Sequence, residues 1–204
     1  MEKVEVRIVS GNLKGRKLSC MVHAGLRPTP QMVREALFSI LGNAVPDRPF
    51  YDVFAGTGVV GFEAISRGAS RAQMIERDAS QAAELHKAVV GWKLTSRVQV
   101  LRADAYRWAE RWIPNPEAVN VFLSPPFPDL TGEKAEAFAK LIEVLWAKLP
   151  PESVLAVQVE NNYDTKTLPD PADWDIRPYS RNMLMFRTKE PVASEAVGPV
   201  EKAE

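Results

Sequence analysis

The chain has 204 residues, 46% hydrophobic and 25% charged, with Lys+Arg 26 set against Asp+Glu 26. That length and balance suit one globular domain with a small appendage and exclude disorder throughout. No apolar run approaches the ~20 residues of a membrane span, the opening residues lack a secretory apolar stretch, and one cysteine (Cys20) with two histidines (His23 and His86) excludes a disulfide framework and makes a metal site unexpected.

Charge is uneven along this neutral chain. Residues 1–40 carry seven cations and three anions, a net +4, whereas residues 190–204 carry one cation and four anions, a net −3. A basic end is compatible with a polyanionic partner, although a solvated surface would look the same.

Residues 1–25 read as a basic hairpin, alternating in VEVRIVSG and breaking at Gly11, Asn12 and Gly15. A helix follows, with Thr29 expected as N-cap, Pro30 at the first helical position and Gly42 as the stop. Its Met32, Val33, Ala36, Leu37, Ile40 and Leu41 fall at helical spacing on one face. From residue 50 short apolar runs alternate with helical segments. Strands are expected at 50–54, 72–76, 98–104, 119–124, 154–160 and 182–186, the last opposite 174–178. Helices are expected at 58–67, 79–94 and 134–148, with a short one holding Trp108 and Trp112. This order predicts an α/β domain over 26–189, a mostly parallel sheet with helices on both faces. Residues 190–204 lack periodicity and read as a disordered tail.

The stretch Asp52-Val53-Phe54-Ala55-Gly56-Thr57-Gly58-Val59-Val60-Gly61 sits where a strand passes into a helix. Such glycines allow a sharp turn and close approach of a ligand to the main chain. Glu76 ends the next strand 20 residues after Gly56, the distance at which a carboxylate meets ribose hydroxyls in nucleotide-binding α/β folds. Two ligands fit, a dinucleotide or S-adenosyl-L-methionine. Asp52 disfavours the first by repelling a pyrophosphate at the helix N-terminus, and suits a ligand bearing an ammonium and a sulfonium. An NAD-dependent oxidoreductase would also need a second domain for which the chain has no room. Asp104 ends the third strand, where it could accept from an adenine amine or cap the next helix.

A second constellation, Ser124-Pro125-Pro126-Phe127, ends the fourth strand, beside the expected switch point. The prolines hold the backbone extended with carbonyls toward the site, and Phe127 offers a face for a flat base. Trp108 and Trp112 at i, i+4 fit packing better than a stacking platform. Cys20 reads as inert, His86 as a surface residue, and His23 has no assignable role.

The stretches RIVSGNLKGRKL, LRPTPQMVREALFSIL, DVFAGTGVVGFEAISRGA, the MIERD strand end and PPF lie in order over residues 7–127. There the chain resembles the bacterial methyltransferases that modify guanine N2 in small-subunit (16S) ribosomal RNA. The resemblance implies a Rossmann-like class I methyltransferase fold, S-adenosyl-L-methionine as cofactor and no metal. It implies a cofactor site of Asp52, Phe54, Gly56, Thr57, Gly58, Glu76, Arg77 and Asp104, with Asp52, Gly56 and Gly58 on the methionine moiety, Glu76 on the ribose and Asp104 near the adenine. The catalytic set would be Ser124, Pro125, Pro126 and Phe127, and Lys14, Arg16, Lys17 and Arg27 would bind RNA. The expected partner is small-subunit rRNA or a ribosomal subunit precursor, met by a cytoplasmic monomer. Two departures stand out. Ser124 occupies the place of the usual Asp or Asn, and YSRNMLMF replaces a Tyr-Gly turn. The same fold acting on adenine N6 or a protein amide, and a binding module that has lost turnover through Ser124, are the alternatives.

Overall fold

A computed structural model describes residues 2–22 and 28–191. A two-stranded antiparallel hairpin comes first, β1 (Glu2–Arg7) and β2 (Lys17–Val22). The main domain then runs α1 (Gln31–Leu41), β3 (Phe50–Val53), α2 (Val59–Ser66), β4 (Ala72–Glu76), α3 (Ala79–Gly91), β5 (Val98–Arg102) and α4 (Ala105–Arg111). It continues with β6 (Asn120–Leu123), α5 (Glu133–Lys148), β7 (Val154–Glu160), β8 (Asp175–Tyr179) and β9 (Asn182–Thr188). Among the described residues the main sheet has seven strands in the order β5-β4-β3-β6-β7-β9-β8. β3 through β7 are parallel, and β9 pairs antiparallel with both β7 and β8. This is the expected Rossmann-like sheet.

The central strands β3 and β6 are buried along their whole lengths, as a sheet covered on both faces requires. One face packs Val33, Leu37, Val60, Phe62 and Leu85 of α1, α2 and α3. The other packs Ala109, Phe138, Leu141, Ile142 and Leu145 of α4 and α5. Trp108 and Trp112 stack 5.4 Å apart and meet Tyr51. They pack against the sheet, as their spacing suggested.

The hairpin is anchored by its turn rather than projecting from the domain. Ile8 and Leu13 are buried in the same cluster as α2. Asn12 N–H donates to the Ser66 carbonyl (2.8 Å) and Leu13 N–H to Ser66 Oγ (2.9 Å). The N–H groups of Val9 and Ser10 donate to the Glu63 carboxylate, each at 3.1 Å. Glu63 also faces Arg67 at 3.1 Å and Arg34 Nε at 3.9 Å. Arg34, buried on α1, donates to the carbonyls of Thr29 and Arg7. A polar knot thus joins α1, α2 and the hairpin turn inside the molecule.

The cations of the hairpin stay at the surface, two of them with partners. Lys17 pairs with Glu5 (2.8 Å), and Arg16 donates to the Trp92 carbonyl (3.4 Å) with its guanidinium 5.6 Å from that ring. Lys14 is exposed. Arg27 and His23, and the tail past residue 191, lie outside the described residues. Gly11 has φ +79°, and a Cβ there would sit 1.7 Å from the Ser66 carbonyl oxygen. Gly11→Ala is expected to push the turn off α2 and to lower unfolding free energy by about 2–4 kcal/mol, measured by denaturant titration.

Element ends differ from expectation for local reasons. Pro30, not Thr29, is the N-cap of α1, and no side chain caps this helix. β6 stops at Leu123, before prolines that cannot donate to a ladder. β3 ends before Phe54, whose φ of 72° turns the chain out of the sheet.

Candidate active site

Strand order reverses between β3 and β6, and at that switch point a crevice opens beyond the carboxyl ends of the strands. It encloses about 440 Å³, and all twelve predicted cofactor and catalytic residues except Gly58 line it.

The loop from β3 into α2 forms its floor. Phe54, Gly56 and Gly58 all adopt positive φ, and a Cβ on Gly58 would lie 2.4 Å from Leu85. Only glycine lets α2 and α3 close at that point. Glu76, at the end of β4, accepts from the N–H groups of Gly56 (2.7 Å) and Asp78 (2.8 Å). The 20-residue spacing in the sequence is therefore a direct contact, which holds the carboxylate at the rim of the glycine loop. Arg77 follows it on the same rim. Asp104 caps α4, accepting from Arg107 N–H at 3.1 Å, and also lines the crevice. The carboxylate therefore caps the helix and faces the crevice at once.

Asp52 is 1% exposed and accepts from Gly61 N–H at 2.9 Å. Burial pushes its carboxyl up to about 7. The Gly61 bond works against that rise, and the nearby Glu76 charge adds to it. A raised native pKa means that the folded protein holds this proton more tightly than the unfolded chain. Its stabilising contribution is full below pH ~4 and fades as pH rises to about 7. Asp52→Asn is therefore expected to flatten this segment of the stability–pH curve. Wild type should lose up to roughly 4 kcal/mol relative to the variant between pH 4 and pH 8, compared by denaturation at both ends.

The lining continues at the end of β6, the strand beside β3. Ser124 N–H donates to the Val53 carbonyl at 3.4 Å, which holds this end of β6 beside β3. Pro126 leads into a short 3-10 turn over Phe127–Leu130. Phe127 is 45% exposed at the crevice mouth, with its ring available for stacking.

Sequence reasoning missed several groups here. Tyr106 of α4 packs edge-on to Phe54 (5.8 Å) and donates its hydroxyl to the buried Asp129 at 2.9 Å. Burial, joined by that carboxylate, keeps the phenol protonated. Asp129 lies two residues past Phe127, so its proximity to the motif was the available signal. Thr29 does not cap its helix. It donates its hydroxyl to Gln158 Oε1 (3.0 Å), and Gln158 Nε2 donates to Asn182 Oδ1 (3.0 Å). No local pattern joins partners 129 and 24 positions apart, and only the sheet brings them together.

Residues 6–185 match the family described as Conserved hypothetical protein 95. The chain is 34% identical over 175 residues to the ribosomal RNA small subunit methyltransferase D of Haemophilus influenzae, covering 85% of this chain and 87% of that one. A solved structure described as the putative methyltransferase yhhF from Escherichia coli superposes with a TM-score of 0.72 at 29% identity, covering 92% and 99% of the two chains. The T. thermophilus 16S rRNA N2 methyltransferase, solved in complex with AdoMet and guanosine, shares the fold at TM-score 0.69 and 20% identity. That match covers 93% of this chain and 50% of the other.

Proposed function

This chain belongs to the family described as Conserved hypothetical protein 95, and from that premise we propose that it methylates the exocyclic N2 amine of a guanine in small-subunit ribosomal RNA. It is an S-adenosylmethionine-dependent rRNA methyltransferase, similar to the ribosomal RNA small subunit methyltransferase D enzymes. The observation that supports the finer reading is that Ser124, Pro125, Pro126 and Phe127 line the same crevice as Asp52, Gly56 and Glu76.

The residues present fit the cofactor. Glu76 is fixed at the glycine loop by two N–H donors, where a carboxylate can accept from ribose hydroxyls. Asp52 and the glycine-loop backbone surround the place for the methionine part, and Asp104 stands at the end of the crevice where an adenine amine would lie. When bound, S-adenosylmethionine supplies an electrophilic methyl group.

Everything else falls to this chain's own side chains. A guanine amine is a poor nucleophile because its lone pair is delocalised into the ring. The Ser124 hydroxyl and the Pro125 carbonyl are acceptors at the end of β6. Hydrogen bonds to them favour a tetrahedral nitrogen, whose lone pair can then point at the methyl group. Phe127 stacks on the flipped base and holds it in line. Lys14 and the other basic residues of the N-terminal region would meet the RNA backbone.

The test is methyl transfer from labelled S-adenosylmethionine to small-subunit rRNA and to precursor subunits, followed by digestion to nucleosides. Label in N2-methylguanosine is expected, and label in N6-methyladenosine or in ribosomal protein contradicts the proposal.

A further inference from the structure

The wall of the crevice beside Ser124 contains a carboxamide whose hydrogen-bonding capacity is half used. Leu123 of β6 pairs with Val157 of β7 in parallel register, so the next residues on the two strands, Ser124 and Gln158, stand side by side. Both line the crevice. Gln158 is 9% exposed and Thr29 8% exposed, so neither amide nor hydroxyl is a casual surface group.

A glutamine amide carries two acceptor sites and two donor hydrogens. The Thr29 hydroxyl uses one acceptor site, and Asn182 Oδ1 uses one hydrogen. In this arrangement the amide oxygen faces the Thr29 hydroxyl and the amide nitrogen faces Asn182 Oδ1. One acceptor site on Oε1 and one N–H on Nε2 remain.

We propose that Gln158, oriented by Thr29 and Asn182, reads the target base, accepting from guanine N1–H and donating to guanine O6. The inference rests on the guanine N2 reading given above. On guanine the N2 amine, N1–H and O6 lie consecutively along one edge. A base whose amine sits at Ser124 therefore presents N1–H and O6 to the neighbouring strand. Adenine with its N6 amine at Ser124 would offer only the N1 acceptor, leaving the Gln158 oxygen with the Thr29 hydroxyl alone and its second acceptor site empty. A buried acceptor left unpaired is a strong ground for rejection.

The test uses 2-aminopurine, which keeps the exocyclic 2-amine but lacks both N1–H and O6. The methylated guanosine is mapped on small-subunit rRNA, and RNA fragments are synthesised with guanine or 2-aminopurine at that position. Wild type is expected to favour guanine about 10- to 100-fold in kcat/KM. Gln158→Met, which keeps the side chain's length without its polar atoms, is expected to bring the preference below about 3-fold, largely by slowing guanine. Affinity for S-adenosylhomocysteine should be unchanged in this variant, which shows that it has folded. Should that binding be lost, Thr29→Val carries the test, because it frees the amide to rotate and should weaken the preference in the same direction. Unaltered discrimination in a folded variant overturns the inference while leaving the proposed function standing. Wild-type protein that methylates no guanine overturns both.

Discussion

Ser124→Asp is expected to accelerate methyl transfer by about 10- to 100-fold, with little change in the KM for S-adenosylmethionine. Ser124 follows the end of β6 and Glu76 ends β4, with β3 between them, so the Ser124 side chain serves the base rather than the ribose end of the site. Serine accepts a hydrogen bond through a short, neutral hydroxyl. A carboxylate makes a charge-assisted bond worth ~1.5–3 kcal/mol. The difference acts while the amine becomes tetrahedral and gains positive charge, so it should appear in kcat. Single-turnover methylation of small-subunit rRNA by the two proteins measures it directly. A gain from a wild type that barely turns over would point to a module in which ligand and RNA binding have outlived catalysis. No gain, or a loss, would mean that Ser124 and its neighbours already supply the acceptors the reaction needs.

The largest effect on stability is expected from Arg34→Met. Arg34 is 2% exposed, donates to the carbonyls of Thr29 and Arg7, and has Glu63 as its counter-charge. Methionine fills much of the same volume, so packing loss is small. The fully buried Glu63 would lose one of its two cations and keep Arg67 with the Val9 and Ser10 N–H groups. Breaking a buried pair from one side leaves an imperfectly compensated charge, at a cost of about 3–5 kcal/mol. Denaturant unfolding should show that loss, and limited proteolysis should first cut in the hairpin, whose turn hangs on the same carboxylate. A loss below ~1 kcal/mol would mean that the knot contributes little beyond packing.

These two positions also show what could be read in the chain alone. The glycine loop, Glu76 and the order of strands were legible because they depend on short-range spacing. The contact between Glu76 and Gly56 is the physical content of a 20-residue interval. Arg34 was visible only as a residue off the apolar face of α1. Its burial follows from Glu63, 29 positions away, and from a hairpin turn that packs inward. The docking of the hairpin turn is long-range too, with Gly11 pressed against Ser66. Thr29 was assigned as a cap on local grammar, yet its hydroxyl serves Gln158. The turn at Tyr179-Ser180 has no glycine, and Ser180 takes the left-handed conformation itself at φ 55°. Local pattern located the loops that hold a cofactor. The groups that would choose a base come from three distant segments, and only the closed sheet assembles them.

The identity of the ligand beneath the glycine loop underlies every role given to the crevice, and calorimetric titration of the purified protein with S-adenosylhomocysteine, with NAD as control, tests it most directly. Saturable binding of S-adenosylhomocysteine with one site per chain and no heat from NAD is the result predicted by Asp52, Glu76 and the crevice they line. Binding of NAD in its place, or of neither compound whether or not small-subunit rRNA is present, would contradict it.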